Sequence, residues 1–332
     1  MQHRCVASGL LLSFLIGCRS TPAPAPVQWA IAIHGGVGTL DRAAPPERLQ
    51  EYRDALARAL TEGRDRLRRG ESGLDVCEAV VRMLENDPHF NAGVGAVFNE
   101  KGEHELDASI MDGSTLACGA VASVRTVKNP ISLARLVMTK TKHVLLMGDG
   151  AEQFATAMDV ERVPNSYFDT EARRRALEEV LRERARTGEL ETPRPQQTYG
   201  TVGCVVRDSH GHLAAATSTG GMTGKRWGRV GDSPIVGAGN YADQWAAVSG
   251  TGTGEQFIRH AVARTVAARM QFAGQTLDEA AHAVVFATLN KDDGGIIAVD
   301  RDGKLVALYN TEGMYRGFAD AKGRFDVRIF ED

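Results

Sequence analysis

Apolar positions change their spacing along the chain, and the changes outline its elements. The run WAIAI (29–33) reads as a short buried strand interrupted by HGGVG (34–38). Residues 48–69 place Leu49, Tyr52, Leu56 and Leu60 at helical spacing among charges, which predicts a surface helix. Ser72 can cap a second helix running to residue 85. Strands are expected at 105–111 and 116–124 around Asp112-Gly113, and again at 144–147. Helices are expected at 131–138 and 171–184. A stretch rich in proline and polar residues, 187–197, then separates this half from a second with shorter apolar runs. There, 201–207 and 212–218 flank Asp208-Ser209-His210-Gly211, which has hairpin turn chemistry. Further strands are expected at 235–238 and 246–249, and helices at 256–270 and 277–289. A last hairpin joins 296–299 to 304–309 through Asp302-Gly303. Hairpins dominate, so the expected class is α+β, with largely antiparallel sheets and helices packed outside them.

The chain has 332 residues, which allows one large domain or two medium ones. Its hydrophobic content of 43% is that of a globular protein with a sizeable core. Net charge is −3, without a long basic run, so no nucleic-acid partner is expected. The basic stretch 64–69 is interleaved with Asp65 and Leu67 and reads as a solvated helix face.

The amino terminus has its own logic. MQHR is a short positive start, and the apolar run 5–16 has the length of a signal h-region, too short to cross a bilayer. Leu15-Ile16-Gly17-Cys18 resembles the lipobox of bacterial lipoproteins, in which residues 1–17 are removed and Cys18 carries the lipid. Residues 18–27, alternating proline and alanine, then form a tether. An exported lipoprotein is expected, with the outer membrane favoured by Arg19 after the cysteine; a periplasmic or secreted protein is the alternative. Of the other cysteines, Cys77, Cys118 and Cys204 lie in apolar segments and read as buried small hydrophobes. No CxxC or His/Cys spacing for zinc occurs.

Four clusters carry chemistry. Gly200-Thr201 opens an apolar strand just after the polar stretch, a layout suited to a chain that cuts itself there. Cleavage would leave Thr201 with a free α-amine, whose pKa near 8 lets it take the hydroxyl proton. Glycine before it tolerates the strained peptide that self-cleavage requires. In ATSTGG (216–221), Thr217 and Thr219 share a strand face, and a hairpin sets them beside Thr201. In GRVGDSP (228–234), Arg229 can grip a carboxylate and Asp232 accept from an ammonium, together suiting an amino-acid headgroup. SGTGTGE (249–255) opens a helix and presents backbone N–H groups suited to an oxyanion. Neither this loop nor GMTGKR (221–226), where Arg226 replaces the hydroxyl residue, is a Walker A sequence. The chain also lacks G-x-S-x-G, which removes the serine-hydrolase reading of HGG.

In order, these clusters resemble the plant-type L-asparaginases, also called isoaspartyl peptidases, among the N-terminal-nucleophile hydrolases. The resemblance is carried by IHGGVG (33–38), LENDPHFNAGVGAVF (84–98), HELDASIMDG (104–113), GAVASV (119–124), TYGTVG (198–203), ATSTGGMTGKRWGRVGDSPIVGAGNYA (216–242), SGTGTGE (249–255) and NTEGMYR (310–316). It spans about residues 28–330. Trp227 departs from the proline or other residue common at that place.

The resemblance implies an αββα sandwich in which 28–200, ending in a flexible linker over about 186–200, and 201–332 are the two subunits of one domain. They would pair as an (αβ)2 dimer. It implies Thr201 as nucleophile, assisted by Thr219 and Thr251, with Asn91, Thr251 and the Gly252 backbone around the oxyanion. Arg229 would hold the substrate α-carboxylate, and Asp232 with the Gly254 backbone its α-amine. No catalytic cofactor is implied. The carbonyls of Leu84, Glu85, Asp87, Phe90, Ala92 and Val94 would bind a structural sodium ion. The expected activity is hydrolysis of isoaspartyl peptides and L-asparagine through a β-aspartyl enzyme, releasing aspartate. Two alternatives remain at this point. Glycosylasparaginase has a similar fold, but its cleavage site reads His-Asp-Thr rather than Tyr199-Gly200-Thr201. The other is an exported protein that binds amino acids without turnover.

Overall fold

A computed structural model describes residues 28–38, 42, 44–188 and 200–331. The expected signal (1–17), Cys18, the tether (18–27) and residues 189–199 of the expected linker lie outside the described residues.

Two sheets stack face to face. The larger has eight strands in the order β12 (Phe325–Arg328), β11 (Met314–Asp320), β1 (Ala30–Val37), β5 (Val202–Arg207), β6 (Leu213–Thr219), β2 (Leu106–Asp112), β3 (Cys118–Val124) and β4 (Leu145–Met147). Only its β3–β4 pair is parallel. The smaller has four strands in the order β10 (Leu305–Tyr309), β9 (Gly294–Asp300), β8 (Ala246–Gly252) and β7 (Asn240–Ala242), all antiparallel. Strands from before and after residue 200 interleave in the larger sheet, with β5 and β6 lying between β1 and β2.

Three apolar layers hold the stack. Ile31 and Ile33 of β1 and Val202, Cys204 and Val206 of β5 face α1 (Pro46–Arg68), α2 (Gly73–Glu85) and α3 (Pro130–Lys140). Ala30, Ala32 and Val205 point the other way and meet Ile297 and Val299 between the sheets. On the far side of the smaller sheet, Val248, Ile296 and Ala298 pack against α7 (Val262–Ala273) and α8 (Leu277–His282). With both strand faces buried, polar alternation disappears and the strands read as continuous apolar runs. The result is the αββα sandwich of the N-terminal-nucleophile hydrolases.

Local chemistry explains most element limits. Ser72 caps α2 by accepting from Asp75 N at 3.2 Å. Two further helices, α4 (Gly148–Ala157) and α5 (Glu171–Thr187), complete the first half, and α5 stops at Gly188 in the left-handed conformation (φ 69°). Four expectations need correction. The HGGV segment does not interrupt β1; a bulge between His34 and Gly36 carries the strand through it. Residues 235–238 form turns with one bridge, Val236 to Asn240, and the strand begins at Asn240, because Gly237 (φ 97°) turns the backbone first. The helix expected over 256–270 is two, α6 (Gly254–Arg259) and α7, parted by Ala261 at φ 44°. The helix over 277–289 widens after His282 into a π-helix, Ala283–Thr288.

Candidate active site

The β5–β6 hairpin builds the center of the site. Its register pairs Val202 with Ser218 and Gly203 with Thr217, which brings Thr201 level with Thr219. Thr201 Oγ1 donates to Thr219 Oγ1 at 3.2 Å, and Thr219 Oγ1 also accepts from Gly221 N at 3.1 Å. Thr201 is only 8% exposed. Gly36, at φ 106°, lies against the Gly200–Thr201 peptide: a Cβ there would stand 2.6 Å from Gly200 Cα. A side chain at 36 would therefore occupy the place of the bond to be cut.

A buried relay crosses between the sheets beneath this junction. His34 Nδ1 donates to the Thr201 carbonyl at 2.9 Å, and its Nε2 lies 2.8 Å from Ser249 Oγ. Burial drops the His34 pKa to about 3, partly offset by that carbonyl, so the ring is neutral. Neutrality with Nδ1–H fixes the direction: Ser249 donates to Nε2, and Thr217 Oγ1, 2.7 Å away, donates to Ser249. His34 thus orients the carbonyl of Thr201 and does not reach its hydroxyl as a base. Any Cβ on Gly203 would collide with Ser249 Oγ and His34 Nε2, which explains a glycine two residues after the threonine. Ser249 and Thr251 are two apart on β8 and share its inward face. The Thr251 hydroxyl is buried without a hydrogen-bond partner. Gly252 (φ 152°) follows, where a Cβ would strike the Asp293 carbonyl.

The loop after β6 supplies the opposite charges. Arg229 Nε and Nη2 donate to Glu255 Oε1 and Oε2 at 2.9 and 3.0 Å, a bidentate pair. A Cβ on Gly254 would stand 2.7 Å from Arg229 Nη2 and 2.9 Å from Asp232 Oδ1, so glycine lets guanidinium and carboxylate flank that backbone. Ser109 Oγ donates to the Ser233 carbonyl at 2.5 Å and ties the loop to β2. Asp232 is buried, its Oδ2 has no hydrogen-bond partner, and burial raises its pKa to about 7 against the lowering effect of Arg229. Trp227 projects from the same loop, 74% exposed, with a left-handed φ of 53°.

Asn91 braces this center: Oδ1 accepts from Val97 N at 2.9 Å and Nδ2 donates to the Gly221 carbonyl at 2.8 Å. The loop expected to bind sodium turns tightly at Gly93 and Gly95 (φ 50° and 92°). A Cβ on Gly93 would strike the Glu85 carbonyl, and one on Gly95 would lie 2.5 and 2.8 Å from those of Pro88 and Phe90. These close approaches are to carbonyl oxygens, and that of Glu85 accepts from Val94 N at 2.7 Å.

The structure therefore gathers Thr201, Thr219 and Gly200 at one junction, and Arg229, Asp232 and Gly254 at another, with Asn91 tied to Gly221. The sequence reading missed Glu255 as the partner of Arg229 and His34, Ser249 and Thr217 as a relay. The His-Gly-Gly bulge and Gly203 were their traces.

The raised Asp232 pKa has a testable sign. A carboxylate near 7 in the folded chain and 3.8 outside it penalizes folding increasingly as pH rises from about 4 to 7. Asp232→Asn should therefore melt at a higher temperature than wild type at pH 8 but not at pH 3.5. It should also lose at least about tenfold in kcat/KM. Equal melting differences at both pH values would contradict the buried-carboxylate account.

Comparison with known proteins adds the family context. A family model described as asparaginase matches residues 27–329. The chain is 45% identical to a probable isoaspartyl peptidase/L-asparaginase 2 of Arabidopsis thaliana, over 91% of this chain and 99% of that protein. It is 48% identical to an isoaspartyl peptidase of Salmonella typhimurium (88% and 95% covered) and 42% identical to the isoaspartyl peptidase/L-asparaginase of Homo sapiens (90% and 95%).

Proposed function

We propose, for a chain that belongs to the asparaginase family, that it is a self-cleaving threonine hydrolase of isoaspartyl peptides and L-asparagine. The observation that carries this reading is the Thr201–Thr219 hydroxyl contact at the Gly200 junction. In the uncut chain, Thr201 Oγ1 attacks the Gly200 carbonyl carbon and gives an ester by an N→O shift; water then splits that ester. The freed α-amine of Thr201 accepts the hydroxyl proton as Oγ1 attacks the substrate side-chain carbonyl. The same amine protonates the departing ammonia or peptide amine. Water, deprotonated by the amine, then releases aspartate from the β-aspartyl ester.

The other roles follow from the arrangement. The Thr251 hydroxyl, the Gly252 backbone and the second Nδ2 hydrogen of Asn91 would face the oxyanion. Arg229 takes the α-carboxylate, sharing or releasing Glu255, and Asp232 with the Gly254 backbone takes the ammonium. Both substrate types present the same headgroup, so one clamp serves both. The carbonyls of Leu84, Glu85, Asp87, Phe90, Ala92 and Val94 would hold sodium, which would brace the Asn91 loop and take no part in the chemistry. Ammonia release from asparagine and aspartate release from a β-aspartyl dipeptide, measured on one preparation, test the reading. Activity on neither would remove it.

Two further parts of the reading rest on sequence. The subunits pair as an (αβ)2 dimer, checked by solution mass. The lipobox at Cys18 anchors the enzyme in the membrane through multiple acyl chains. Wild-type activity should fractionate with membranes and that of Cys18→Ala should not; a wholly soluble cytoplasmic wild type would contradict the anchor.

A further inference from the structure

Behind the hydroxyl pair lie two buried charged side chains, Asp107 and Lys225, that the mechanism above does not use. Asp107 stands directly opposite Thr219 in the β2–β6 register and is fully buried. Its Oδ1 accepts from Ser123 N at 2.8 Å, while Oδ2 has no hydrogen-bond partner. The Lys225 side chain is 1% exposed; its Nζ donates to the Glu105 carbonyl at 2.8 Å and lies 3.9 Å from the Glu105 carboxylate. This ammonium packs under the turn that holds Thr219. A Cβ on Gly221 (φ 84°) would stand 3.1 Å from Nζ, and the Gly221 N–H is the donor to Thr219 Oγ1. Cation and anion thus flank the hydroxyl that touches the Thr201 hydroxyl.

Burial disfavors both charges: it lowers the Lys225 pKa and raises that of Asp107, and each is the other's largest electrostatic support. Buried charges of opposite sign are weak evidence for stability, because apolar replacements often fold as well. Position is the more telling property. We propose that Asp107 and Lys225 are positioning residues that set the basicity of the Thr201 α-amine in the cleaved enzyme, Lys225 lowering it and Asp107 raising it. The inference rests on the reading of Thr201 as an amino-terminal nucleophile. The other groups around the junction are His34, which is neutral, and Glu105, Arg229, Asp232 and Glu255; Asp107 also raises the Asp232 pKa, so the comparison is made in the substrate complex, where the substrate ammonium holds Asp232 ionized.

The experiment is the pH dependence of kcat in cleaved wild type, Lys225→Met, Asp107→Asn and the double variant. kcat reports the substrate complex, in which Asp232 is already paired with the ammonium. Removing the cation should move the acid limb up by about one pH unit, and removing the anion should move it down by about as much. The double variant should return close to wild type, and KM should change little. Asp107→Asn is nearly isosteric and leaves Lys225 beside Glu105, and the double variant removes both fully buried charges while Glu105 keeps some access to water, so either carries the test if Lys225→Met does not fold. Limbs that stay in place or move in the same direction, or failure of all three variants to yield cleaved enzyme, overturn the assignment. If Thr201→Ala turns over substrate, the nucleophile reading itself fails; unmoved limbs beside an inert Thr201→Ala remove only this inference.

Discussion

Thr201→Ala should remain a single uncut chain and lose at least about 10⁴-fold in turnover of both substrate types. Two losses combine in that change. The hydroxyl that attacks Gly200 is gone, so no new amino terminus forms, and the same hydroxyl is missing from the substrate reaction. The fold should survive, since the side chain removed is small and its hydrogen bond among the described residues is the 3.2 Å bond to Thr219. Thr201→Ser keeps the attacking hydroxyl and should still be cut, which frees its α-amine. Efficient cleavage of Thr201→Ala before residue 201 would show that another group attacks Gly200.

Arg229→Ala should lose about 30-fold or more in kcat/KM on asparagine and on β-aspartyl dipeptides alike, because both present the same α-carboxylate. Losing a largely buried charged hydrogen-bond partner costs roughly 2–5 kcal/mol. Glu255 does not explain such a loss: its side chain is 45% exposed and can be hydrated when Arg229 is gone. Arg229 also lowers the Asp232 pKa, so its removal leaves Asp232 more protonated near neutral pH and weakens the grip on the ammonium too. Self-cleavage should continue, since the Gly200 peptide carries no such headgroup. Normal kinetics on both substrates would remove Arg229 from the site.

Local patterns made much of the fold readable. Asp208-Ser209-His210-Gly211 between two apolar runs identifies the hairpin, and the hairpin register alone brings Thr219 level with Thr201. Ser72 announces α2 by the same local chemistry that caps it. What escaped depends on tertiary placement. β11 lies inside the sheet between β12 and β1, yet Met314–Asp320 carries a buried arginine and a glycine and has no clear period. Arg316 is tolerated inside because its Nη1 donates to the Met314 carbonyl at 3.0 Å. Residues 235–238 look strand-like, but Gly237 turns the backbone before the strand begins. His34, Ser249 and Thr217 lie far apart in sequence and meet only when the two sheets stack. The pairing of Arg229 with Glu255 likewise requires α6 to dock against the loop after β6.

Intact-mass analysis with amino-terminal sequencing of purified wild-type protein decides whether the chain cuts itself before Thr201. Two fragments are expected, the smaller beginning at Thr201 and having the mass of residues 201–332. A single uncut chain that hydrolyzes asparagine or β-aspartyl peptides at full rate would contradict self-cleavage.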